Sequence, residues 1–147
     1  MQPAVRRRVI FIALYEVLAV AIVTAALAAA ASRPATDTGA FALVGSAVAA
    51  TWNYAWNWMF ERWEARRRDP RRTTARRIAH AVGFETGLVV TLVPAMAWML
   101  DMTLMQAFFY DLGLIVFFLF YTYAFTWAFD AVFGPPQSAQ ARGQRAS

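Results

Sequence analysis

Long apolar stretches alternate with short polar breaks along this chain. Residues 9–31 carry one charge, Glu16; residues 39–60 carry none; residues 78–100 carry Glu85 beside the histidine His80; residues 102–129 carry Asp111. Each stretch is long enough to cross a hydrocarbon core of roughly 30 Å, which a helix of about 20 residues spans. The pattern predicts four transmembrane helices, over about 9–31, 39–61, 78–100 and 104–130. The breaks agree with these bounds. The stretch SRPATDT (32–38) has the proline and polar residues of a short loop. The link around 101–106 is so short that the last two helices form a hairpin. Pro94 falls inside the third helix, where it frees a carbonyl and favours a kink. Thr73 or Thr74 is placed to cap that helix, after a charged linker over 64–74. The tail, 134–147, is polar and proline-bearing and reads as disordered.

The pattern also repeats. RRVIFIALYE, from Arg7, and RRIAHAVGFE, from Arg76, each run from two arginines through apolar residues to an aromatic–glutamate pair, Tyr15-Glu16 and Phe84-Glu85. They lie 69 positions apart, and the same displacement lays WNYAWNWMFE (52–61) on YTYAFTWAFD (121–130) without a gap. The chain is therefore an internal duplication, with repeats over 6–63 and 75–133. Each repeat holds two crossings, so both enter the membrane in the same sense.

Composition supports a membrane class and adds an orientation. The 147 residues are 60% hydrophobic, above the usual range for soluble domains. All 14 basic residues are arginine, and eleven of them lie over 6–8 and 62–77, on one side of the four crossings. The positive-inside rule then puts both termini in the cytoplasm. The net charge of +5 follows this topology rather than a nucleic-acid surface. The first apolar run follows arginines as a secretory signal would, but it is too long and carries a glutamate, so it reads as a retained helix. The absence of cysteine excludes disulfides and thiolate metal sites. Neither a phosphate loop nor a metal cluster nor a nucleophile–base arrangement is present, so no enzyme is expected.

The candidate chemistry lies in the polar residues at membrane depth. Glu16 and Glu85 each fall eight residues past an arginine, Arg8 and Arg77, hence about 12 Å along their helices. An ionised carboxylate there is costly. Desolvation favours the neutral carboxylic acid and an arriving cation favours the carboxylate, so a proton and a cationic ligand would compete for such a group. The alternative is a structural carboxyl bonded to a neighbouring helix. Asn53, Asn57 and Glu61 share one face of the second helix, and Thr122, Thr126 and Asp130 share the same face of the fourth. Trp52 and Trp56 run beside the first of these stripes. These groups, with Tyr15, suit either helix packing or an organic cation held by ring faces and amides. Asp111, opposite Ala42 under the repeat, is a second station on a ligand path or a structural pair. His80 and Arg77 are a relay or a cytoplasmic gate, and Glu61 and Asp130, at the membrane boundary, are expected to meet arginines.

With the halves aligned, the chain resembles the proteobacterial antimicrobial compound efflux family, built of bacterial transmembrane pair domains. Arg77, His80, Phe84 and Glu85 match that family's RxxH and aromatic–Glu pattern. Arg8, Tyr15 and Glu16 match it too, with Phe11 where histidine is expected. Trp52, Asn53, Asn57, Phe60 and Glu61 match its WNxxFNxxFE pattern, with Trp56 for phenylalanine. Tyr121, Thr122, Phe125, Trp127, Phe129 and Asp130 match the fourth. The likeness covers about residues 6–133. It implies a proton-coupled exporter of organic cations in the bacterial inner membrane, acting on biocides such as chlorhexidine, dyes and short polyamines. The proton gradient is then its energy source, with no cofactor, and Glu16 links proton release to substrate binding. Four helices make a thin wall around a cavity, so a homodimer is expected. Two other accounts of the residues are a small assembly protein whose acids only pair helices, and a small-multidrug-resistance-type antiporter. The duplication and the WN motif argue against the last.

Overall fold

The protein, described here by a computed structural model covering residues 3–66 and 73–134, is a bundle of four helices. They are α1 (Pro3–Ala31), α2 (Ala35–Ala65), α3 (Thr74–Met99) and α4 (Leu104–Phe133). Each outruns its apolar stretch because the flanking arginines and polar residues are themselves good helix formers or caps. α1, α3 and α4 are long and apolar enough to cross a membrane. The asparagines and charged end of α2 dilute its hydropathy, but it packs between α1 and α3 and so crosses with them. The expected loop over 32–38 is shorter than the sequence suggests. α2 begins at Ala35, because Asp37 suits the positive N-terminus of a helix and the buried Thr38 hydroxyl donates to the Thr24 carbonyl of α1 at 3.0 Å.

The two loops at this end are built alike. Ser32 and Asp101 both take positive φ, 50° and 47°. In each case the next residue returns a hydrogen bond to the helix it leaves, Arg33 N–H to Ala28 at 3.2 Å and Met102 N–H to Ala97 at 3.0 Å. This is the Schellman stop, twice, with the repeat's spacing. Thr103 and Gln106 then form a capping box for α4, and Thr73 caps α3 as expected. Pro94 lies within α3. The rest of the basic linker, 67–72, and the tail beyond 134 fall outside the described residues.

Buried side chains gather at the loop end. Val23 and Leu27 of α1, Phe41 and Ala42 of α2, Val93, Met96 and Leu100 beside α3 and Ala107 of α4 form one core. Tyr110 ties α4 to α1 there by donating to the Ala30 carbonyl at 2.9 Å, and the Arg33 guanidinium donates to the Asp101 carbonyl. Between apolar helices in lipid such packing works through van der Waals contact and interhelical hydrogen bonds. Towards the arginine end the arrangement changes. The hydrogen bonds and ring contacts there join α1 to α4 and α2 to α3. The molecule is two helix pairs, closed on each other at the loop end.

These two pairings are copies of one another. Trp52 Nε1 donates to the Phe84 carbonyl at 3.0 Å, and at the equivalent positions Tyr121 Oη donates to the Tyr15 carbonyl at 2.8 Å. His80 packs edge-on against Phe60 at 4.7 Å, as Phe11 does against Phe129 at 5.0 Å. The fit differs in how volume is shared. Trp52 and Trp56 lie so close over Gly87 and Gly83 that an added Cβ would come within 2.0 and 2.4 Å of their rings. Leu18 and Leu14 stand in place of those glycines in α1, against the smaller Tyr121 and Phe125. Gly87→Leu should therefore lower thermal stability in detergent by about 1–3 kcal/mol, as overpacking does. The double variant Gly87→Leu/Trp52→Tyr, copying the α1–α4 contact, should recover most of it.

Candidate functional site

Glu16 sits half-buried where three helices meet. α1 supplies it, and the Ser46 hydroxyl of α2 donates to its Oε2. On the α4 side its neighbour Tyr15 shares a hydrogen bond of 2.8 Å with the Thr122 hydroxyl, and the Tyr15 and Tyr121 rings meet at 4.9 Å. Tyr121 in turn stacks on Phe117 at 5.3 Å. Glu16 is thus a carboxyl at membrane depth with a neutral hydroxyl partner and aromatic rings nearby. Among the described residues no arginine pairs with it. An ionised carboxylate at such a depth carries an energetic cost.

The second repeat is organised differently around its own acids. Ile115 stands at the position equivalent to Ser46, and Glu85 is exposed on α3 without a hydrogen bond to any described residue. Trp52 and Trp56, which suit either helix packing or a pocket wall, are packed into the α2–α3 contact. Trp56 Nε1 donates to the His80 carbonyl at 3.1 Å. The His80 ring faces Asn57 Oδ1 at 3.1 Å, and Asn57 Nδ2 donates to the Asn53 carbonyl at 2.8 Å. His80 and Arg77 also line a small cavity of ≈ 130 Å³ with Phe60, Glu64 and Arg76. Asp111 is buried at the loop end, at 3% exposure. A wider trough of ≈ 600 Å³ runs along α4, lined by Phe118, Leu119, Thr122, Tyr123, Thr126 and Trp127.

At the arginine end Asp130 meets Arg7 at 2.5 Å, and Arg7 also donates to the Gly134 carbonyl at 2.9 Å. Glu61, its counterpart, is exposed. Sequence reasoning placed Asp130 near an arginine but could not say which, since the partners are separated by nearly the whole chain. It gave Ser46 no role. The hint available was the repeat itself: Ser46 aligns with an isoleucine, so a hydroxyl there is not required by packing.

The chain matches the family model described as "Chlorhexidine efflux transporter" twice, over residues 3–66 and 72–135, the displacement of 69 that the motifs show. It belongs to the proteobacterial antimicrobial compound efflux family. Proteins of this family that resemble the chain include a short-chain diamines transporter of Vibrio parahaemolyticus, 35% identical over 125 residues, covering 85% of this chain and 89% of the relative. Two more short-chain diamines transporters, of Acinetobacter baylyi and Acinetobacter baumannii, are each 36% identical over 127 residues, covering 86% of this chain and 89% and 88% of theirs. No solved structure matches. As a member of this efflux family the chain is a multi-pass membrane transporter and not an enzyme. The conflict over position 11 also resolves within the family fold: Phe11 makes the ring contacts that His80 makes in the second repeat and lacks only the bond to an amide. His80→Phe should therefore leave stability within about 1 kcal/mol of the parent, the worth of one hydrogen bond. His80→Ala, which empties the ring's place, should cost about 2 kcal/mol or more in the same melting assay.

Proposed function

We propose that this family member is a proton-coupled exporter of organic cations, with Glu16 exchanging its proton for substrate. The observation that carries this is the setting of Glu16: half-buried, bonded to Ser46, beside Tyr15 and Tyr121, and without a cationic partner among the described residues. The substrates we assign are short diamines, as in the relatives' names, and the biocide of the family description; dyes extend the same chemistry. An ammonium or biguanide group satisfies the carboxylate, and ring faces hold the organic part.

In this account the arginine end faces the cytoplasm of the bacterial inner membrane, as arginine placement favours. The two helix pairs are closed on each other at the opposite, loop end. A cation arriving from the cytoplasm displaces the Glu16 proton, which leaves on that side. The pairs then rock, the loop end opens, and an external proton reloads Glu16 and expels the cation. Glu85, Asn53 and Asn57 serve as secondary contacts, His80 and Arg77 as the cytoplasmic gate, and two copies of the chain pair to complete the wall around the path.

Transport in inverted vesicles carrying a proton gradient tests the proposal. Glu16→Gln should keep the fold but lose at least about 90% of diamine and chlorhexidine uptake, since one carboxyl couples both ligands. Ser46→Ala should lower uptake only a few-fold and shift its pH dependence. Gradient-driven uptake by Glu16→Gln at the parent rate would remove Glu16 from the mechanism.

A further inference from the structure

Asp111 belongs to neither group of residues around the glutamates. Its side chain is 3% exposed, and its Oδ2 reaches no hydrogen-bond partner. It lies one turn beyond Ala107, in the half of the bundle where the four helices close. The equivalent residue in the first repeat, Ala42, is also buried, at 7% exposure. The fold therefore accepts a methyl group at this place, and packing alone gives no reason for an acid.

The electrical surroundings offer no counter-charge. Glu85 of α3, itself an acid, is the charged group whose field reaches Asp111. Beyond Glu16, α1 carries no ionisable side chain before its end, and α2 between 38 and 60 carries only Tyr54, which is exposed. On α4 the nearest titratable neighbour, Tyr110, is committed to the Ala30 carbonyl, and Tyr121 to that of Tyr15. Arg33, Asp37 and Asp101 sit at the loops, where the Arg33 guanidinium bonds to Asp101. An ionised carboxylate with an unpaired oxygen, buried and within the field of another acid, is costly; a neutral carboxyl is not.

We propose that Asp111 is a second proton-binding site of the transporter, at the sealed end. Its carboxyl is neutral while the loop end is closed, gives up its proton when that end opens to water, and must regain one before the end closes again. This rests on the proposed function only in requiring that the two ends open in turn. The sign follows from linkage. The open form binds one proton fewer, so the ratio of open to closed rises with pH, by up to about tenfold per unit for one proton. Acid on the loop side drives that end shut.

The chain has no cysteine, so a single one reports cleanly. Ala42→Cys places a thiol in the closed core, and Thr36→Cys gives an exposed reference at the same end. Labelling by a membrane-impermeant maleimide, taken as the ratio of the two sites, is measured from about pH 5 to pH 8 in reconstituted protein, across which window the linkage acts. It is done with Glu16 intact and again as Glu16→Gln, which keeps the outcome separate from the role of Glu16. The ratio should climb several-fold with pH in both, and Asp111→Asn should make it low and flat. A slope that survives Asp111→Asn, or a parent ratio already flat, overturns the proposal. Infrared spectra of the Glu16→Gln protein give a second reading without altering Asp111. A protonated-carboxyl band should be present when labelling is low and fade as it rises, and its absence at low labelling would equally sink the idea.

Discussion

An aromatic side chain donating to the backbone carbonyl just ahead of each membrane glutamate is the contact around which these helices are arranged. Tyr121 does this at Tyr15 and Trp52 at Phe84. A helical carbonyl already accepts one bond along its own helix and has a lone pair to spare. In lipid no water competes for the donor, so the bond is hard to exchange. It fixes how each odd-numbered helix is rotated and how far it is shifted against its even-numbered partner. With Tyr15 turned towards α4, the next residue, Glu16, is carried round towards Ser46 of α2. The position of the carboxyl is thus a consequence of where its aromatic neighbour is held.

The same scaffold supports two unlike halves. Trp52 and Trp56 lie on glycines in α3, which lets rings and backbone approach closely, and His80 adds a polar bond to Asn57. In the α1–α4 contact leucines, tyrosine and phenylalanine share the same volume, and the polar bond is absent. Ser46 against Ile115 and Ala42 against Asp111 complete the contrast. One half holds its glutamate with a hydroxyl; the other buries an aspartate and leaves its glutamate on the surface. The two acids of one alignment column therefore have different surroundings and different chemistry open to them.

Much of the architecture was legible in the sequence because it rests on period and composition. The apolar runs gave the helices, the displacement of 69 gave the repeats, and Thr73 capped α3 as its position suggested. Helix ends were less legible. Thr36, Asp37 and Thr38 look like loop residues, but a first turn of helix welcomes an acid and a hydroxyl that can reach back to another helix. The twin Schellman stops were hidden, since Ser32 and Asp101 share a conformation and not a side chain. Which face each stripe presents was hidden too. Trp52 and Trp56 beside amides look like a binding wall, yet glycines at 83 and 87, on a different helix, turn them into packing. The links Arg7–Asp130 and Tyr15–Thr122 bridge the ends of the chain, and no local pattern encodes them.

The matching of the α1–α4 contact with the α2–α3 contact bears on how such a molecule could arise. A half-length chain of two helices, pairing side by side with its twin about an axis along the membrane normal, would form both contacts at once. In that ancestral pair every substitution would appear twice, so an acid opposite an alanine, or a histidine opposite a phenylalanine, could not exist. Joining the halves through one basic linker removes that restriction. Covalent fusion is what permits a molecule of near-twofold shape to acquire a directional, one-sided interior.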